Sequence, residues 1–423
     1  MNASVVITTK NRKEELLKAV ESALRQHVLL EVIVIDDGST DGTAEELKKK
    51  FSVFSFQSPG EQPATTDSLL ATAPEALSLD SGRSTLDPQT AAKPLLRLIR
   101  NEVSAGYIIR RNEGARVARG DVIFSLDDDA VFSSAFVVEQ TLRDFSHPRI
   151  GAVAIPYIEP HKANKEMQRA PTREDVWITA SYIGTAHVVR RDVFLALGGY
   201  REHLVHQGEE GDFCLRMLAA EAPEENAETL KSEKRKAEIL KTDLTTEDTE
   251  STEVLTGPCL DNPSGDAFSN PSTSELALDS ENTSLNCSAI GPASLPATSH
   301  SPLVTPLEAA VPGFFVRLGN SDPIIHNESP KRDFSRMDFY GRRNDVLFHW
   351  QNTPMPDLLW QLPSTIAGGL LCAYRVKRWE KMACGIFSGI FEMLKGAKRE
   401  PVGKKHFRFY KQLKTCGPTL LEK

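Results

Sequence analysis

Three consecutive aspartates, Asp127-Asp128-Asp129, stand directly behind the apolar run VIFSL. Adjacent carboxylates repel one another and a cation relieves the repulsion. Hard divalent ions such as Mg²⁺ or Mn²⁺ take oxygen ligands and share them with a diphosphate. The plain alternative, a solvated acidic loop, is weakened by the strand in front, which keeps the run close to the sheet. A second acidic turn, DDGSTDG at residues 36–42, closes another apolar run. Ligands of open α/β sheets sit outside the carboxyl ends of the strands. A carboxylate placed there accepts hydrogen bonds from a base imide or from ribose hydroxyls; a turn with helix-capping residues accounts for the same pattern.

Two further clusters are less specific. Gly208-Glu209-Glu210-Gly211-Asp212 opens a helix, where the dipole favours acidic residues in any case. Its functional reading is a general base that deprotonates an acceptor hydroxyl. His326-Asn327-Glu328-Ser329-Pro330 follows a strand, and the histidine there is either structural or a partner for metal or phosphate.

The elements that must position these residues alternate in type. Residues 4–8 (SVVIT) read as a strand buried on both faces. Glu14 to Gln26 has helical periodicity, Glu31 to Ile35 is a second buried strand, and Thr40 or Asp41 is placed to cap a helix over 43–51. Such β-α-β-α order implies a parallel sheet with helices on its faces. Residues 53–94 break the pattern: they are rich in Ser, Thr, Pro, Ala and Gln and bury too little to offset their ordering entropy. Strand and helix resume at Leu95–Arg100 and 105–119, and Asp121–Leu126 delivers the aspartates. A strand follows near Gly151–Pro156, Trp177–Arg190 reads as extended, and Asp192–Leu197 as a short helix. Residues 221–310 form a second irregular block, after which core pattern returns at Gly313–Leu318 and Pro323–Arg332. The expected division is a catalytic domain from 1–52, 95–220 and 311–350, insertions at 53–94 and 221–310, and a helical basic C-terminal region at 351–423.

Composition bounds the partners. The chain has 423 residues, 40% hydrophobic and 26% charged, with a net charge of −8, which argues against a nucleic-acid binder. From Ser364 to Lys423 the balance reverses: 13 Lys/Arg against 4 Asp/Glu give +9. Basic amphipathic helices of this kind lie on anionic membrane surfaces; a tail packed on the catalytic domain is the other reading. The six cysteines form no C-x-x-C pair and no zinc spacing, and fit a reducing cytoplasm better than a disulfide scaffold. The N-terminus reads at once as a strand, so no signal peptide is expected. The expected location is cytoplasmic, at the inner face of the membrane if the basic region binds there.

In this order the motifs resemble the GT-A fold of the inverting glycosyltransferases of family two, the rhamnosyltransferase-like group. The resemblance is carried by VVITTKNR, VIDDGSTDGT, RRNEGARVARGDVIFSLDDDA, GGYREHL, GEEGDFCLRM and HNESPKR. It implies an α/β, Rossmann-like, mostly parallel sheet with flanking helices, and transfer of a sugar from a UDP- or dTDP-type donor to a hydroxyl of a glycan or lipid-linked acceptor in cell-envelope polysaccharide synthesis. Thr8 and Lys10 would line the base and ribose pocket, Asp37 would read the base and Arg111 would approach the nucleotide. Asp127 and Asp129 match the D-x-D motif for ribose and metal, with Asp128 in the middle and His326 near the metal and diphosphate. Of the acidic dyad, Glu210 is the favoured base, Glu209 the runner-up, with Asp212 alongside. The dyad is Glu-Glu where many relatives have Glu-Asp, which puts the base one methylene further out. Rival readings are a sugar nucleotidyltransferase, against which SVVITTKNR lacks a triphosphate loop, and a non-catalytic nucleotide-binding protein on the same fold.

Overall fold

The computed structural model describes residues 1–51, 55–57, 95–162, 164–221, 313–327 and 333–421. Apart from 55–57 and Glu221, the two expected insertions lie outside the described residues, as do Glu328, Ser329 and Pro330.

Burial follows from the apolar runs. Strands β1 (Ala3–Thr9) and β2 (Leu29–Asp37) pair in parallel. Val5, Ile7, Val32 and Val34 enter one core with Leu16 and Val20 of helix α1 (Lys13–Leu24). The alternate residues Val6, Ile33 and Ile35 enter a second core with Ile108 and Ala115 of α3 (Tyr107–Val117). A strand covered on both faces has no polar side to show, which is why these runs read as continuously apolar. Between β2 and α3 lie α2 (Thr43–Lys50), the short β3 (Ser55–Gln57) and β4 (Leu95–Asn101). β3 falls inside the expected insertion, yet pairs in parallel with β4.

β5 (Val122–Asp127) completes a parallel half-sheet in the order β3-β4-β2-β1-β5. The sheet continues through β11 (Ala186–Arg190), antiparallel to β5 and to β7 (Ile150–Ala154). β7 pairs in parallel with β12 (Phe315–Leu318), and β10 (Val176–Thr179) runs antiparallel to β12. The stretch Trp177–Arg190 is thus two strands with a turn between them. A small second sheet joins β6 (Ala130–Phe132), β8 (Tyr157–Ile158), β9 (Glu166–Met167) and β13 (Ile324–His326). Its register sets His326 opposite Ala130, which brings the histidine beside the acidic run.

Short helices α4 (Val137–Leu142) and α5 (Arg191–Ala196) precede α6 (Glu209–Ala219). The loop into α6 is strained: Val205, Gln207 and Gly208 all have positive φ, at 62, 65 and 87°, and a β-branched residue there is an outlier. Asn344 of α7 (Phe334–Asn352) over-determines the loop by donating Nδ2 to the carbonyls of Leu204, His206 and Gln207 at 2.8, 2.9 and 2.7 Å.

The C-terminal region is integrated rather than a tail. α8 (Leu358–Arg375) and α9 (Trp379–Leu394) pack on α7. The α7–α9 approach is close enough that a Cβ on Gly385 would lie 2.2 Å from the Phe339 carbonyl oxygen. α10 (Lys404–Cys416) then buries Phe407, Phe409, Tyr410 and Leu413 in the first core, and β14 (Thr419–Leu421) pairs with β10. Expectation had ended the catalytic domain at 350; amphipathic periodicity does not say which surface an apolar face covers. Among the described cysteines Cys214, Cys384 and Cys416 are free and Cys372 is disulfide-bonded. Among the described residues no helix is long and apolar enough to cross a membrane.

Asn344→Ala leaves three loop carbonyls without their donor and is expected to cost about 1–3 kcal/mol in urea denaturation. If the loop positions a catalytic group, turnover falls by up to about 10²-fold; an unchanged rate with lowered stability would show that the clamp is only structural.

Candidate active site

The ends of β1, β2 and β5 open into a cleft of about 770 Å³. Thr8, Lys10, Asp37, Arg111, Asp127, Asp128, Asp129, Glu210 and His326 all line it. Eight of these nine came from motifs before residue 211, and the sheet order brings them together because β2, β1 and β5 are adjacent.

One wall is a candidate metal centre. Asp127, Asp129 and His326 each offer a ligand atom, and these atoms lie within 4.8 Å of one another. His326 Nε2 is 3.4 Å from Asp129 Oδ1, while its Nδ1 is 3.2 Å from Glu159 Oε1. That outer carboxylate orients the ring, the usual arrangement behind a ligating histidine. Two carboxylates and an imidazole suit Mg²⁺ or Mn²⁺, so the residues fit the ion that the sequence implies. Burial alone disfavours a charged imidazole, but Asp129 and Glu159 outweigh it and raise the His326 pKa to about 9. Glu159 is in turn held down at about 2, chiefly by its bond to His326.

Asp128 plays a different part. It accepts from Thr9 Oγ1 at 2.8 Å and from Arg12 Nη1 at 3.1 Å, and the same Arg12 nitrogen reaches Asp129 Oδ2 at 2.6 Å. Burial pushes Asp128 up to about 7, against the pull of Arg12. Its side chain is spent on the frame, outside the three-residue metal cluster.

At the other end Asp37 is saturated. It accepts from the amides of Ala105 and Gly106 at 2.7 and 3.0 Å, from Ser104 Oγ at 2.6 Å and from Arg110 Nε at 2.7 Å. Burial opposes its charge, yet these donors hold it below its ordinary value. With four bonds made inside the chain, Asp37 anchors the loop 104–106 at the rim and offers no free lone pair to a base. Lys10 is exposed on the cleft, and no hydrogen bond or ion pair to it occurs among the described residues.

Arg111 joins the two sides. It is buried, and Nη2 donates to Asp127 Oδ1 at 2.7 Å and to the Gly184 carbonyl at 3.3 Å. Nη1 donates to Glu209 Oε1 at 3.3 Å and lies 3.7 Å from Glu210 Oε1. The guanidinium also stacks over the Tyr107 ring at 4.8 Å. Burial works against its charge, but Asp127, Glu209 and Glu210 raise its pKa above the ordinary value.

The acidic dyad is split by exposure. Glu210 lines the cleft with its side chain 19% exposed, whereas Glu209 is at 0% and does not reach it. Burial, then Glu210, raise the Glu209 pKa well above its ordinary value. Asp212 is not at the cleft. Its carboxylate accepts from Arg201 at 2.7 Å, Arg216 at 2.9 Å and Asn352 at 2.8 Å, tying α6 to α7. At i+3 from Glu209 it has turned into the helix–helix seam, so of the three expected catalytic carboxylates only Glu210 is placed to meet a ligand.

Sequence reasoning missed Arg12, Thr9, Tyr107, Gly184 and Glu159. The first two lie within VVITTKNR, and the register Thr8 to Asp127 would have put them beside Asp128. Glu159 carries no local signal at all.

Residues 4–60 and 63–198 match the model of glycosyl transferase family 2. The architecture is accordingly GT-A. No curated protein matches the chain. Among solved structures, a Pyrobaculum calidifontis mannosyltransferase, PcManGT, in complex with GDP-Man and Mn²⁺ is 13% identical over 94% of this chain and 88% of its own, with a TM-score of 0.45. S. aureus TarS 1–349 is 15% identical over 51% and 55%, at 0.34. GalNAc-T7 with UDP, GalNAc and Mn²⁺ is 17% identical over 52% and 41%, at 0.36. The chain thus spans about half of TarS 1–349, and at these scores the likeness is one of outline.

A Cβ on Gly184 would lie 2.5 Å from Glu210 Oε1 and 3.0 Å from Arg111 Nη1. Gly184→Ala is therefore expected to displace both and lower kcat/KM by about 10²-fold with the circular dichroism spectrum unchanged. Unaltered kinetics would show that neither group needs its present position.

Proposed function

We propose that the protein transfers a sugar from a nucleotide-diphosphate donor, of UDP or dTDP type, to a hydroxyl of a glycan or lipid-linked acceptor, with inversion. The observation that carries this reading is that the candidate metal cluster and one half-buried glutamate, Glu210, open onto the same cleft and are joined through Arg111. The match of residues 4–60 and 63–198 to glycosyl transferase family 2 supports a glycosyltransferase; donor, acceptor and stereochemistry are our inference.

In this reading the base and ribose lie over Thr8, Lys10 and the loop held by Asp37. Asp127, Asp129 and His326 would hold a divalent cation, which when bound neutralises charge gathering on the departing diphosphate. Lys10, free of carboxylate partners among the described residues, faces the same anion. Glu210 takes the proton of the acceptor hydroxyl, and the freed oxygen attacks the anomeric carbon opposite the leaving group, a single displacement that inverts configuration. Arg111 orients Asp127 and keeps Glu210 close to the reacting centre, and buried Glu209 supports Arg111 from behind.

Incubation with a panel of nucleotide sugars tests the reading: nucleoside diphosphate should be released only with Mg²⁺ or Mn²⁺ present. Release of pyrophosphate from a triphosphate would indicate a nucleotidyltransferase, and binding without turnover a non-catalytic protein. Asp129→Ala should abolish transfer while the melting curve stays near wild type; activity persisting in chelator would contradict the metal assignment. Glu210→Gln should lower kcat by about 10²–10⁴-fold with donor KM little changed, and a near-normal kcat would remove Glu210 from the base role.

A further inference from the structure

We propose that α8 and α9 form a docking surface for an anionic lipid bilayer, with their outer faces inserted at the headgroup level. Both helices turn small residues inward: Gly369 of α8 meets Ile386 of α9 and Arg342 of α7, and Gly385 and Gly389 of α9 meet the α7 backbone. At 3.6 residues per turn, Trp360, Leu371 and Tyr374 lie roughly opposite Gly369. Phe387 and Phe391 lie roughly opposite Gly385 and Gly389. These outward residues are the ones left bare, with Trp360 77%, Tyr374 80% and Phe387 66% exposed. Large aromatic and aliphatic side chains on two neighbouring helices are too many to be scattered surface apolars.

Charge decides which occupant fits. Between Leu358 and Lys398 stand six Lys/Arg and two Asp/Glu, a balance of +4 in a chain whose total is −8. Arg375, Lys377 and Lys381 are exposed at the α8–α9 turn, and Lys395 at the far end of α9 sits 4.3 Å over the Phe391 ring. Aromatics ringed by lysines match a surface that is apolar below and anionic above. A second copy of the same face would instead set lysines against lysines. Neither helix is long and apolar enough to span, so the contact lies in the plane of the interface. This surface is independent of the sugar-transfer reading.

Sedimentation of the full chain with vesicles tests it. The protein should pellet with phosphatidylcholine vesicles containing phosphatidylglycerol, and stay in solution with phosphatidylcholine alone or at high salt. F387S/F391S and K377E/K381E should each weaken pelleting by at least about tenfold, with melting temperature and nucleotide release in solution unchanged. Failure to pellet, pelleting of the variants like the wild type, or a concentration-dependent dimer that these substitutions dissociate would each overturn the proposal. Because nucleotide release is read separately, loss of membrane binding is distinguishable from loss of catalysis.

Discussion

The site depends on one buried cation. Arg111 faces Asp127 on the metal side and Glu209 and Glu210 on the other, so a single guanidinium holds together carboxylates that would otherwise repel. Its burial is costly, and the three carboxyl groups that face it in a low-dielectric pocket are what makes it tolerable. Removing it would leave Glu209, with no solvent exposure and one oxygen already without a partner, as an uncompensated buried acid. The distance between the two functional walls is therefore set by arginine geometry rather than by the loops that carry them.

Around that centre, each motif is fastened by a residue outside it. Thr9 and Arg12 hold the middle aspartate, Glu159 orients His326, and Asn344 fixes the strained turn before Glu209. Asp37 and Asp212 serve the frame in the same way, although both stand in motifs that suggest direct contact with a ligand. A carboxylate with three or four internal donors is a structural joint, whatever its position in a pattern.

The parallel half of the sheet was legible because two-sided burial writes continuous apolar runs into β1, β2 and β5, and because acidic turns mark their carboxyl ends. Among the cleft-lining residues, Asp37 and the three aspartates followed from that placement, whereas Thr8, Lys10 and Arg111 came from the family resemblance. What the sequence hid was long-range. The small sheet that sets His326 beside Asp129 rests on strands of two and three residues, too short for a period to register. The return of α10 and β14 into the catalytic core was equally hidden, since a basic helix with one apolar face looks the same whether it covers a sheet or a membrane. Exposure separates the cases: Phe407 and Tyr410 are buried, Phe387 and Trp360 are not. The split between Glu209 and Glu210 also needed the structure, because adjacent residues at a helix start differ by about 100° in direction and nothing local says which one faces the cleft.

The most direct test of the account is a manganese anomalous-difference map from crystals grown with Mn²⁺ and a nucleoside diphosphate. The account predicts one peak, coordinated by Asp127, Asp129 and His326, with Glu210 facing it across the cleft and free of the metal. A peak that engages Glu210, or a diphosphate bound in the cleft with no peak beside these three residues, would contradict it.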